Sequence, residues 1–109
     1  MAPADSILPG TLDLLILKAV SLGERHGYGV LLRLQQMTSG NLTLEQGAIY
    51  PALYRLERQG LIEGTWGTSD NNRRARFYAI TAAGRKHLTA ETADWKSFVQ
   101  VVSLVMELA

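Results

Sequence analysis

Three arginines within four positions, Arg73, Arg74 and Arg76 in "NNRRAR", are the residues whose chemistry stands out first. A guanidinium is always charged and presents a planar fork of donors, which suits phosphate oxygens and narrow minor grooves rather than proton transfer. The same arginines would also serve as solvated charges on a hairpin tip. A second set lies in "EQGAIYPALYRLERQG", where Gln46, Gly47, Ala48, Tyr50, Pro51, Tyr54 and Arg55 follow one another closely. Small residues let a helix approach a major groove, phenols reach phosphates or base edges, and a glutamine can read adenine. Tyr50 and Tyr54 read equally as half-buried packing residues, and Tyr28 has the same two readings. Arg55 and Arg58 are candidate phosphate contacts, in a field diluted by Glu45 and Glu57.

Other chemistries find little support. There is no cysteine in the 109 residues, which removes disulfides, thiolate nucleophiles and Cys-based zinc sites. His26 and His87 stand far apart and no cysteine accompanies either, so no metal or other cofactor is expected. No nucleophile–base motif or phosphate-binding glycine loop occurs, and an enzyme is not expected. The start, "MAPADSILPG", lacks a basic signal-peptide region, and "LDLLILKAVSLG" is interrupted by Lys18 and too short to span a bilayer. No membrane association and a cytoplasmic location are the expectation. Net charge is +1, so any electrostatic footprint must come from local arrangement.

The positioning elements follow from periodicity. Thr11 is a plausible cap for a helix striped by Leu12, Leu15, Ile16, Ala19 and Val20, with Leu14 and Leu17 making the other side apolar. Gly23 ends it. "HGYGVLLRLQQM" predicts a second helix stopped by "TSGN", and "LTL" a short extended segment. The third helix buries Ile49, Leu53 and Leu56, and closes at Gly60. Pro51 would cost about 3 kcal/mol in a helix interior, less if the regular helix begins near Ile49. "LIEGTWG" and "ARFYAI" predict two strands joined by "TSDNNRR", with Trp66 in wing or core packing. Thr81 caps a long last helix. Three helices and then a hairpin make a mainly α winged helix-turn-helix, with the third helix as the recognition element and the hairpin as its wing. The division is residues 1–80 for that domain and 81–109 for the C-terminal helix.

Several stretches together resemble the PadR family of bacterial transcriptional regulators. They are "LPGTLDLLILKAV" (8–20), "HGYGV" (26–30), "GAIYPALYRLERQGLIEG" (47–64) and "NNRRARFYAIT" with "AAGRKHL" (71–88). The single C-terminal helix is similar to the short subfamily; Glu45 departs from it, standing where a Ser-like cap is expected. The resemblance implies a dimeric, repressor-like regulator of double-stranded DNA, often responsive to a small ligand or stress signal. It favours DNA-facing roles for Tyr28, Gly47, Tyr50 and Tyr54.

On the last helix Leu88, Thr92, Trp95, Val99, Val102, Met106 and Ala109 alternate at spacings of four and three, a heptad-like seam. Phe98, Val101, Leu104, Val105 and Leu108 widen it beyond what one small domain covers. A homodimer interface is expected from Trp95, Phe98, Val99, Val102, Val105 and Met106, with Leu12 and Leu15 of the greasy first helix. Two-fold pairing would supply the symmetric recognition helices that a palindromic operator needs. Trp95 is an interface anchor or, as in some proteins of the resembled family, part of a cavity for a flat aromatic or hydrophobic effector. The alternative to a DNA regulator is a winged-helix module that binds protein, which the near-neutral charge keeps open.

Overall fold

The computed structural model describes Ala2, Pro3 and residues 10–108. The elements run β1 (Ala2–Pro3), α1 (Thr11–Ser21), β2 (Arg25–His26), α2 (Gly27–Met37), β3 (Leu42–Thr43), α3 (Gln46–Arg58), β4 (Ile62–Thr68), β5 (Arg74–Ile80) and α4 (Ala82–Met106). This is a winged helix-turn-helix with a long C-terminal helix. Leu8, Pro9 and Ala109 of the sequence patterns lie outside the described residues.

The three short helices meet because each offers an aliphatic stripe. Ile16, Leu17 and Val20 of α1, Val30 and Leu34 of α2, Ile49, Leu53 and Leu56 of α3, and Ile62 of β4 are each no more than 2% exposed. Burying one such side chain contributes about 1.5–3 kcal/mol, so this cluster carries most of the favourable energy of the fold. Leu12, Leu15, Ile80 and Leu88 pack against its edge. Arg33 of α2 adds a polar tie: its guanidinium donates to the carbonyls of Ala19 (2.7 Å) and Gly23 (2.9 Å), covering acceptors at the end of α1.

The expected elements are all present, joined by an unexpected two-residue parallel pairing of β1 with β3, and with three further differences. First, α1 is entered through Gly10, which takes the N-cap position at φ 85°, so Thr11 is the first helical residue rather than the cap. Second, α3 begins at Gln46, not near Ile49, and Pro51 therefore sits in the second turn. Its missing N–H leaves the Gly47 carbonyl without its helical donor. Third, the hairpin has a third strand: β2 pairs antiparallel with β5, Arg25 opposite Tyr78 and His26 opposite Phe77. Two residues are too few to show an alternating pattern. His26 then doubles as the N-cap of α2, its Nδ1 accepting from the Gly29 N–H at 3.0 Å.

One joint ties α3, the wing and α4 together. Gly60 (φ 75°) closes α3 in a Schellman arrangement, with Leu61 N donating to Leu56 O and Gly60 N to Glu57 O, both at 3.0 Å. The Thr81 hydroxyl donates to the Gly60 carbonyl (2.7 Å) and accepts from the Gly84 N–H (3.0 Å), which caps α4. The Thr81 N–H donates to Leu61 O at 3.1 Å. At Gly84 the α4 backbone runs so close that a Cβ would collide with the Leu61 carbonyl oxygen and the Ile80 side chain. Because a backbone carbonyl cannot swing away, Gly84→Ala should destabilise the protein by about 1–3 kcal/mol. Denaturant unfolding followed by circular dichroism checks this.

Candidate nucleic-acid interface

The site is built on α3, whose residues advance by 100° each. With Ile49, Ala52, Leu53 and Leu56 buried, the opposite face presents Gly47, Pro51, Tyr54 and Arg58 to solvent. Tyr54 is 61% exposed, and the Arg58 guanidinium lies 5.7 Å from its ring centroid. A Cβ on Gly47 would meet nothing, so that part of the surface is bare backbone open to a close-approaching partner. Glu45 occupies the N-cap position, but its side chain makes no capping hydrogen bond.

Beside this face lies a groove of about 710 Å³, walled by the start of α2, by α3 and by the wing. Tyr28, Tyr50, Arg73, Arg74 and Arg76 all line it. Five positions scattered over 49 residues of sequence thus share one concavity. Tyr50 reaches it because residue 27 is glycine: a Cβ there would stand 2.5 Å from the tyrosine ring. Tyr28 and Tyr50 remain 46% and 47% exposed, so both are available to a ligand, and the Tyr50 ring rests against Gly27.

The wing arginines are not equivalent. Ser69 and Arg73 close the turn through a 2.8 Å backbone hydrogen bond, with Asn72 at φ 58°, a conformation asparagine tolerates. Arg73 is exposed at that turn. In the hairpin register Trp66 faces Arg76, and Ile62, Gly64, Trp66, Arg74, Arg76 and Tyr78 share one face. The Arg74 guanidinium sits 4.4 Å from the Trp66 ring centroid, a cation–π arrangement. Arg76 is held by the Glu57 carboxylate of α3, which raises the arginine pKa further. Burial and the same carboxylate push the neighbouring Tyr78 phenol up, keeping it neutral.

Arg55 leaves α3 on the opposite flank and forms a two-point fork on Asp13 of α1, at 2.7 and 3.2 Å. That hydrogen bond raises its pKa, and its Nε and Nη2 donors are committed to Asp13. Gln46 and Ala48, in the first turn, do not line the groove. Trp66, expected in wing or core packing, stands on the wing and is 58% exposed on the groove, a place at the site that the sequence reading did not give it. Counting the hairpin register outward from Ile62 opposite Ile80 would have paired it with Arg76. Nothing local marked Gly27 or Asp13, whose roles exist only through a contact distant in sequence.

The last helix bears a second surface. Over its C-terminal half Phe98, Val99, Val101, Val102, Leu104, Val105 and Met106 are 40–76% exposed. Trp95 and Phe98 are neighbours with ring centroids 5.9 Å apart, beside a cavity of about 290 Å³ that Gly10, Thr11, Leu14, Glu91 and Asp94 also line. Leu12 and Leu15 are partly buried against the core, so only their edges remain for a partner. Among the described residues no helix is long and apolar enough to cross a membrane.

The family model for PadR-like transcriptional regulators matches residues 16–90, from the middle of α1 into α4. The chain belongs to the PadR-like family. A PadR-like transcriptional regulator from Bacillus cereus superposes with a TM-score of 0.77 at 28% identity, over 92% of this chain and 95% of that one. A PadR family regulator from Eggerthella lenta does so with a TM-score of 0.77 at 25% identity, over 92% and 85%. The transcriptional regulator YqjI of Escherichia coli is 42% identical over 53 residues, which is 49% of this chain but only 26% of that protein. PadR-like regulators bind DNA, and this one is a DNA-binding transcriptional regulator of that kind.

Proposed function

We propose that this PadR-like regulator acts as a homodimer on a palindromic operator in double-stranded DNA, represses there, and is relieved by a small ligand or stress signal. The observation that carries the DNA reading is the groove that assembles Tyr28, Tyr50, Arg73 and Arg74 beside the bare face of α3. Arg73 and Arg74 would track the phosphate backbone, while α3 lies in the major groove with Gly47 at its approach and Tyr50 and Tyr54 reaching outward. Residues 1–80 would read DNA and residues 81–109 would pair the chains, in the cytoplasm. Changing Arg73 and Arg74 together to Ala should weaken binding to all sequences alike. It should also flatten the log–log salt dependence by about 0.9 for each phosphate no longer neutralised. Tyr50→Ala should harm operator binding more than random-DNA binding. Gel shifts with the DNA upstream of the chain's own gene, with competitor and at several salt concentrations, measure all three. A wild-type protein that shifts no DNA would favour a protein-binding module instead.

Support for the homodimer comes from the exposed apolar stripe of α4, far more than a solitary chain ordinarily leaves in water. Two such helices side by side would also set two recognition helices in two-fold relation. Val102→Asp should give a monomer in sedimentation experiments and bind the operator much more weakly. An unchanged sedimentation coefficient would count against α4 as the pairing surface.

For the relieving ligand we favour a planar, apolar molecule against Trp95. Support comes from its partial exposure, its aromatic neighbour Phe98 and the adjoining cavity. Titrating planar aromatic compounds should change tryptophan fluorescence in the wild type and lower operator affinity. Trp95→Ala should abolish both responses, and a panel that moves neither would remove this effector from the reading.

A further inference from the structure

Glu57 is out of place on a recognition helix. It projects about 20° from Tyr50 around the α3 axis, at 100° per residue, on the flank that meets the wing. A carboxylate there repels phosphate, and simple charge counting makes it a liability for any DNA-binding surface. In the structure it is engaged. Its Oε2 accepts from the Arg76 guanidinium of β5, across 19 residues of sequence, with both side chains about two-thirds covered. The other side of Arg76 is backed by Trp66, 5.6 Å from the ring centroid. The arginine can lie flat because the residue beneath it is glycine. A Cβ on Gly64 would stand 2.5 Å from Arg76 Nε and 2.9 Å from Cζ. Trp66 in turn carries Arg74 on its ring, so Glu57, Arg76, Trp66 and Arg74 form one continuous stack from the recognition helix to the wing.

We infer that Glu57 is a positioning residue for DNA binding: through Arg76, lying over Gly64, it braces the wing against α3 and thereby sets where Arg74 meets the phosphate backbone. This rests on the DNA-binding reading given above and adds a division of labour within it. Arg73 and Arg74 are the wing's contacts, and Arg76 belongs to the brace. The outer part of the hairpin, past its pairing with β2, is two-stranded and mobile by default, with few buried contacts of its own. A wing held in place before DNA arrives loses less freedom on binding than a swinging one.

The inference opposes simple electrostatics, which makes it testable. Glu57→Gln removes a negative charge from the DNA-facing side, and by charge alone it should tighten binding. The brace requires the reverse: operator binding weaker by roughly three- to tenfold, the loss expected when rotamer-rich side chains must be ordered on binding. Gly64→Ala leaves every charge in place but displaces the flexible end of Arg76. It should weaken operator binding similarly, while thermal unfolding stays close to wild type. In both variants hydrogen exchange of the β4–β5 amides should accelerate, and exchange in α1 should not. The exchanged pair, Glu57→Arg with Arg76→Glu, should recover most of the affinity that either single change removes. Equal or tighter binding by Glu57→Gln, or unchanged wing exchange in both variants, overturns the inference while leaving the regulator reading intact. A wild-type protein that binds no upstream DNA overturns both.

Discussion

Everything at the DNA face depends on the burial of one side of α3. Ile49, Leu53 and Leu56 are sealed into the core, which fixes the rotation of the helix about its own axis and therefore which residues face outward. An aliphatic stripe resists sliding but tolerates a small roll. The polar contacts on its two flanks oppose that roll. Arg55 reaches Asp13 of α1 on one side, and Glu57 reaches Arg76 of the wing on the other. These two positions are about 200° apart around the helix at 100° per residue, so they grip it from opposing sides. Partly exposed ion pairs contribute little to global stability, roughly 0–1 kcal/mol. Their value here is geometric.

The groove gains its shape from glycine as much as from the residues that line it. Gly27 admits the Tyr50 ring and Gly64 admits the Arg76 guanidinium. The Tyr50 ring and the Arg76 guanidinium are thus laid against backbone, which restricts their rotation. An always-charged group restrained in this way ties the wing strand to α3 more firmly than one at the end of a freely turning side chain.

Much of this was legible in the sequence because it rests on local rules. The periodic stripes of α1, α2 and α3, Gly60 beyond α3, the Asn-rich turn and the Thr81 cap are each encoded within a few residues. They place the winged helix and, with it, the neighbourhood of Tyr28, Tyr50 and the wing arginines. What could not be read were features that depend on contacts between distant segments. β2 is only two residues long and exists because β5 offers it an edge. The start of α3 at Gln46 overrides the disfavour of Pro51, since burial of Ile49 and Leu53 outweighs one missing backbone bond. The separate partners of Arg55 and Arg76 follow from their opposite flanks and from the elements that lie against each. Composition registered only that acids and bases nearly balance, and that balance is partly the sum of such internal pairs.

The Thr81 hydroxyl has one hydrogen, and it is committed to the Gly60 carbonyl while a lone pair receives the Gly84 N–H. Both bonds hang on a single side-chain torsion. The end of α3, the root of the wing and the first turn of α4 therefore share one pivot. Any tilt of α4 either carries the other two with it or breaks the bonds from Thr81 to the Gly60 and Leu61 carbonyls, while the Gly84 cap travels with the helix. A helix of 25 residues, about 37 Å long, is a long arm on so short a fulcrum. Small displacements at that joint correspond to large excursions at the far end of α4, and the converse motion is geared down toward the DNA face.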